Sequence, residues 1–240
     1  MKNLDLSKIK LSFKDKIKKL KFPKKMNEKL AEDIGIHIGD GSMYITGSSK
    51  QSYEIKCSGH PEDDKEHYLN TIIPLKEELF NIKIKPKLFK PKKTDFGFVI
   101  CSKALFYFYN KVIGIPAGNK TKICKIPDII MKSEDKIKIA FLRGLADTDF
   151  SLTFKSKSKK HNLHTYPLIF AGFASNNLIN DLKDVLSDLN FTFCYCSYFG
   201  RRYDKLYLKY VINLNGVENL EKWMKLIGFN NQKHLTKYLI

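Results

Sequence analysis

Apolar residues recur along this chain with two different periods. From Leu30 to Ile38 they keep one face of a helix, and beyond Asp40 the spacing switches to two, with Met43 and Ile45 facing one way and Tyr44 and Thr46 the other. The same switch recurs after Asp149, where Leu152 and Phe154 alternate with Thr153 and Lys155. A second strand follows each. The pattern then predicts helices over Glu62 to Phe80 and Asn176 to Leu189, strands over Ile82 to Leu88, Phe96 to Cys101, Phe191 to Tyr198 and Lys205 to Asn213, and closing helices over Ala104 to Val112 and Val217 to Leu226. The order is αββαββα, twice.

The duplication is visible in the residues themselves. A shift of 109 places Ala31 on Ala140, Gly35 on Gly144 and Asp40 on Asp149, and a shift of 114 places Lys111-Val112-Ile113-Gly114 on Lys225-Leu226-Ile227-Gly228. A period this long marks a repeated domain rather than a solenoid. The five extra residues of the second copy fall in the lysine-rich stretch Lys155 to His161. The chain therefore divides into a basic N-terminal extension (1–25), a first repeat (26–114), a linker (115–131) carrying Pro116, Gly118, Asn119 and Pro127, a second repeat (132–228) and a tail (229–240) that fits one short helix. The extension reads equally as an extra helix or a basic arm.

Composition changes this picture in one respect. The 240 residues carry 43 Lys+Arg against 25 Asp+Glu, a formal charge of +18, with 43% hydrophobic content, which is enough to build a core and excludes a disordered tail. So basic a folded chain is expected to meet nucleic-acid phosphates or an anionic membrane. No run of about 18 apolar residues and no signal peptide occurs, so the expectation is an intracellular protein with no membrane partner. Cys57, Cys101, Cys124, Cys194 and Cys196 show no paired CxxC spacing, which argues against a zinc site and reads as small core hydrophobes.

Small residues at four-residue spacing lead to a carboxylate in both copies: Ala31, Gly35, Gly39, Asp40 and Ala140, Gly144, Thr148, Asp149. Such a stripe lies along one helix face and lets a second backbone come close. Glycine inside a helix costs about 0.5–1 kcal/mol relative to alanine, a cost that close packing offsets. Two such helices packed about a pseudo-two-fold axis would set Asp40 and Asp149 side by side at their C-terminal ends, where the helix dipole adds negative potential. The pair calls for a cation between them, and hard oxygen ligands, with the backbone carbonyls of Gly39 and Thr148 added, suit Mg²⁺ or Mn²⁺. Asp147 faces Ile38 in the alignment and reads as local structure; His37 reads as a core histidine.

Both segments resemble the LAGLIDADG motif of homing endonucleases, Asp33 to Gly41 in the first half and Leu142 to Phe150 in the second, through Gly35, Asp40, Gly41, Leu142, Gly144, Asp147 and Asp149. The likeness is to the single-chain members with two motifs and covers about residues 26 to 228. His37, Gly39 and Phe150 depart from the family pattern without removing a carboxylate. The resemblance implies an α+β fold of tandem pseudo-two-fold repeats, a saddle of antiparallel strands with two central packed helices. It implies a monomer that cuts both DNA strands across the minor groove, with divalent metal held by Asp40 and Asp149. It also implies a polar residue ending the second strand and a basic residue on the later strands that order water or balance charge; Ser58, His60 and Ser175 lie in the former region, and Lys209 or Lys103 could serve as the latter.

The strands supply the cationic face. Tyr44, Thr46, Ser48, Gln51, Ser52, Lys56, Lys83, Lys85 and Lys87 in the first half, and Thr153, Lys155, Lys157, His164, Tyr166, Arg201, Arg202, Lys205 and Tyr207 in the second, are the candidate DNA contacts. Alternative readings are a maturase serving intron RNA and a non-cutting DNA-binding regulator of the same fold; retention of both carboxylates favours cutting. Protein splicing is not expected, because the chain opens Met1-Lys2 and closes Leu239-Ile240 rather than with a nucleophile and a His-Asn pair.

Overall fold

The computed structural model describes residues 2–89, 94–158, 161–202 and 205–239. After a short helix α1 (Phe13–Ile17), the first motif helix α2 (Glu28–Gly39) leads into strands β1 (Gly41–Thr46) and β2 (Ser52–Gly59). Helix α3 (Lys65–His67) runs through a π-turn, Tyr68–Ile72, into α4 (Ile73–Phe80); β3 (Lys87–Leu88), β4 (Phe96–Cys101) and α5 (Lys103–Tyr107), extended by a π-turn to Ile113, complete the first repeat. The linker holds α6 (Asp128–Met131). The second copy runs α7 (Asp135–Asp149), β5 (Phe150–Ser158), β6 (His161–Phe173), α8 (Asn176–Asp188), β7 (Cys194–Arg202), β8 (Lys205–Asn215) and α9 (Val217–Leu226), and the tail forms α10 (Gln232–Tyr238).

Among the described residues the strands make two antiparallel sheets with the same topology, β1-β2-β4-β3 and β5-β6-β8-β7. One face of each sheet is buried against helices. Met43, Ile55, Cys57, Phe98 and Ile100 line it in the first, Leu152, Ile169, Ala171, Ile212 and Leu214 in the second. Trp223, the single tryptophan, is fully buried among Phe150, Phe191 and Phe229, each aromatic pair adding about 0.5–1.5 kcal/mol beyond its buried area.

Three expectations need correction. The strand foreseen over Ile82 to Leu88 is reduced to Lys87–Leu88, because Pro86 has no amide to give the ladder and Ile82 and Ile84 turn into the core instead. The strand foreseen to start at Phe191 starts at Cys194, since Phe191 is drawn into the tryptophan cluster. Of the cysteines only Cys57 and Cys124 are buried; Cys101, Cys194 and Cys196 are exposed.

The two motif helices touch backbone to backbone. A methyl group on Gly35 would run into the carbonyl of Phe141 and stand 2.7 Å from the amide nitrogen of Leu145, and one on Gly144 would stand 2.9 Å from the carbonyl carbon of Glu32. Ala31 and Ala140 are buried beside them. At its outer side α2 is tied to the first repeat by a buried ion pair: Lys76 Nζ donates to Asp33, Tyr109 Oη donates to the other Asp33 oxygen, and Lys76 also donates to Tyr109 at 2.6 Å. The pair is sealed from water. Lys76→Met should therefore strand a buried carboxylate and cost about 3–5 kcal/mol in urea unfolding, whereas the double change Lys76→Met/Asp33→Leu should recover much of it; equal loss in both would show that the ion pair is not what matters.

Candidate active site

The site is built where the two motif helices end. Asp40 is the C-cap of α2 and Asp149 the last residue of α7, so each carboxylate sits at the negative end of a helix dipole. They are neighbours. A methyl group on Gly39 would stand 2.5 Å from Asp149 Oδ2, and the charge of Asp149 is felt at Asp40. Tyr68, buried on the π-turn, donates its hydroxyl to Asp40 Oδ2 at 2.8 Å and fixes that carboxylate's orientation.

Burial first, then the Asp149 charge, pushes the Asp40 carboxyl up to about 8. Asp149 moves up less, to about 6, because the crowding that desolvates it is offset by Lys120 and Lys233. Asp149 is itself exposed to solvent, which screens its charge. Asp40 thus holds a proton at neutral pH beside an ionised Asp149, the state of a crowded carboxylate pair with no cation between its members.

Two lysines reach this pair, neither on a strand. Lys120, from the linker, donates to the carbonyls of His37 at 2.7 Å, Gly39 at 3.3 Å and Ile38, capping the end of α2, and burial lowers its pKa. Lys233, from α10, donates to Asp64 Oδ1 at 2.7 Å and its charge acts on both Asp40 and Asp149. They are counterparts in the duplication, Lys120 six residues beyond Gly114 and Lys233 five beyond Gly228. The tail is clasped in place by Asn231, which donates to Asp64 Oδ1 of the first repeat at 2.9 Å and to the Asp147 carbonyl of the second at 3.1 Å. Asp147 accepts the amides of Asn230 and Asn231 at 2.8 and 3.0 Å, a structural role as its unpaired position in the repeat implies.

The elevated Asp40 has a consequence for stability. An acid with a folded pKa of about 8 and an unfolded value of about 3.9 binds more protons in the native state across that interval, so its contribution falls as pH rises through it. Between about pH 6.5 and 8, above the range in which His67 and His234 titrate, metal-free protein should lose thermal stability, part of it from Asp147, which burial pushes up to about 7, and Asp40→Asn should lose less by the Asp40 share. Melting curves in EDTA that shift equally for both proteins would count against a crowded, proton-holding Asp40.

No family model matches the chain. It is 29% identical over 214 residues, 89% of its length, to the replication factor C small subunit of Methanocaldococcus jannaschii, and 32% identical over 127 residues, 53% of its length, to an A-type ATP synthase subunit from Pyrococcus abyssi. These stretches are 10% and 11% of those proteins, so the chain spans about a tenth of the length of the curated relatives it matches. Among solved structures, a mesophilic variant of the homing endonuclease I-DmoI aligns with a TM-score of 0.57 at 19% identity, covering 84% of this chain and 95% of that one. I-DmoI in complex with DNA and Mn aligns with the same score and identity over 84% and 96%. The chain has the LAGLIDADG homing-endonuclease fold. The homing endonuclease I-WcaI bound to its DNA recognition sequence aligns at 0.51, with 12% identity, over 93% and 91%.

On this LAGLIDADG fold the face of each sheet turned away from the helices is given by strand register. In the first sheet Tyr44 and Thr46 point outward and are exposed, Ser48 and Gln51 lie exposed in the β1–β2 turn, and Ser52 is half-buried. Lys56 faces the same way, 3.6 Å from Asp95 and over the Phe89 ring, which Lys87 also covers. Glu54 interrupts the cations by accepting from Thr46 at 2.8 Å. In the second sheet Thr153, Lys155, Tyr166, Tyr207 and Lys209 share the outward face, and Lys209 lies across Gly172, whose missing side chain makes room for it. Arg201 pairs with Leu206 and points with Phe199 to the opposite face of the hairpin. The side chains of Lys157, His164, Arg202 and Lys205 lie outside the described residues.

The auxiliary candidates part company. Ser175 is a buried N-cap of α8 that donates to the Cys124 carbonyl, and Lys103 sits over the Tyr53 and Tyr107 rings. The amide of Ser58 is bonded to the Asp40 carbonyl at 3.4 Å, which keeps it at the edge of the site, and His60 is exposed beside Asp63. The charges acting on Asp149 are those of Lys120 and Lys233, not of Lys209.

Proposed function

We propose that the chain is a site-specific double-stranded DNA endonuclease that acts as a monomer, one chain supplying both halves of a composite site. The observation that carries this is the meeting of Asp40 and Asp149 at the ends of two helices packed without intervening side chains. Stretches similar to most of this chain in one case and to about half of it in the other sit within two relatives whose names describe unrelated machines, as expected of a segment that moves between hosts.

Divalent metal fits the donor set. Among the described residues no three His, Cys, Asp or Glu side chains cluster to hold an ion, so the side chains on offer are the two carboxylates, while the Gly39 carbonyl beside them already accepts from Lys120. That is too few for an all-protein cage but suits Mg²⁺ or Mn²⁺, which retain waters and take substrate phosphate. When bound, such an ion supplies Lewis acidity and a more acidic water. The residues do the rest. Tyr68 orients Asp40, Lys120 and Lys233 offset the phosphodiester's growing negative charge, and the outward faces of the two sheets hold the duplex through phosphate and base-edge contacts. Water adds to phosphorus, one phosphorus–sugar oxygen bond breaks, and the departing oxygen takes a proton. Lys120→Met and Lys233→Met should each lower single-turnover cleavage by about 10²-fold or more while DNA affinity changes less than about tenfold; full activity in both would remove the lysines from the chemistry.

The reading is tested by incubating the protein with a randomised double-stranded DNA library and Mg²⁺, then sequencing the ends. Discrete staggered cuts are expected. Binding without any cut would move the assignment to the maturase or the regulator.

A further inference from the structure

The N-terminal extension is neither a free arm nor a simple extra helix. Residues 2–25 are strapped to the first repeat: an antiparallel bridge joins Asn3 to Lys25, Leu4 and Leu20 are buried, the Lys21 amide donates to the Phe80 carbonyl at 3.0 Å, and Asn81 Nδ2 donates to the Lys19 carbonyl at 2.8 Å. Phe22 packs on Phe80 and Phe108. Helix α1 is fastened by Asp15, a buried carboxylate that closes a capping box with Ser12 and accepts from Ser102 Oγ, at the end of β4, at 2.7 Å.

This strap carries ten lysines, all exposed, against Asp5 and the buried Asp15, and only Lys8 has an acidic partner among the described residues. Its docking site decides where the charge goes. Lys18 lines a hollow of about 260 Å³ with Lys83, Lys85, Val99 and Cys101, and Lys14 lines a second hollow with Gln51, Ser52 and Cys101. Strand register puts Val99 opposite Lys56 and Cys101 opposite Glu54, on the outward face of the first sheet. The lysines of α1 therefore continue that face beyond the outer ends of β2 and β4, at the end of the sheet away from Asp40, which lies where β1 begins.

We propose that α1, with Lys18 beside Lys83 and Lys85 and Lys14 over the adjoining hollow, forms a one-sided ledge that holds the phosphates of duplex DNA flanking the first repeat, lengthening the footprint on that side. This rests on the DNA-binding reading above. A cationic ledge fixed to a rigid sheet loses less entropy on binding than a loose arm, and each phosphate it neutralises releases counterions.

The test is the salt dependence of binding to a random-sequence duplex of about 40 base pairs, for the parent, for Lys14→Gln/Lys18→Gln, and for Lys111→Gln/Lys225→Gln as an equal charge change on closing helices. Ser12 and Asp15 stay intact, so α1 remains docked, which equal melting temperatures verify. The ledge predicts that the slope of log affinity against log salt falls by about 1–2 in the first variant, about 0.9 for each lost phosphate contact, and that the control keeps the parental slope. On a library-selected site, the footprint should shorten on one flank only. A slope unchanged in the α1 variant, or reduced equally in the control, overturns the ledge while leaving DNA binding intact; a parent that does not bind duplex DNA overturns the reading on which it rests.

Discussion

Asp40→Asn and Asp149→Asn should each reduce cleavage of both strands by about 10³-fold or more, with the duplex still bound. Because each carboxylate ends its own helix and the two meet across Gly39, neither can be replaced by the other. Asparagine keeps the shape and one acceptor oxygen but removes the charge that would hold a divalent ion. It also removes the repulsion felt at Asp40, so metal-free Asp40→Asn should be no less stable than the parent, and its affinity for DNA phosphate should be equal or higher. The pairing of lost cutting with retained fold and binding separates a chemical role from a structural one. Were the carboxylates mere helix-end turn residues, the same substitutions would leave cutting within a few-fold.

The second large effect falls on the helix pair. Gly144→Val and Gly35→Val should each cost more than about 3 kcal/mol, beyond the usual overpacking range, because the atoms met are main-chain carbonyls and amides that cannot swing aside. For a chain of this size that lowers the melting temperature by roughly 2–4 °C per kcal/mol. Gly118→Ala is the contrast, with open space around the new methyl and a cost arising only from its left-handed backbone. Cutting should fall in the motif variants even where folded protein remains, since any parting of α2 and α7 separates Asp40 from Asp149. Stability equal to the parent in Gly144→Val would mean the helices do not pack at that residue.

Much of the architecture is legible in the chain, and what escapes the residue pattern does so for physical reasons. The small-residue stripes and their terminal carboxylates stand out because helix periodicity and close packing leave a local signature twice over. The outward strand residues follow from simple alternation, as at Tyr44, Thr46, Thr153 and Lys155. Lys120 and Lys233 escape notice because they lie in segments that read as linker and tail and act through where the chain returns in space. The echo of Gly114 at Gly228 holds the clue, placing a lysine shortly after each. Tyr68 is hidden inside a helix whose π-turn no residue pattern announces. Arg201 departs in direction from the expected DNA face, since alternation along its hairpin turns Tyr207 and Arg201 opposite ways.

Central to the proposed function is that Asp40 and Asp149 together form a single metal-dependent centre for cutting DNA. Strand-resolved single-turnover cleavage of a library-selected duplex measures this most directly, with the parent in Mg²⁺ and in EDTA, and with Asp40→Asn/Asp149→Asn in Mg²⁺. Cuts in both strands by the parent in Mg²⁺ alone, and none by the double variant at equal occupancy of the DNA, are the expected result. Cutting that survives in EDTA or in the double variant, or a parent that occupies the site and leaves both strands intact, would contradict it.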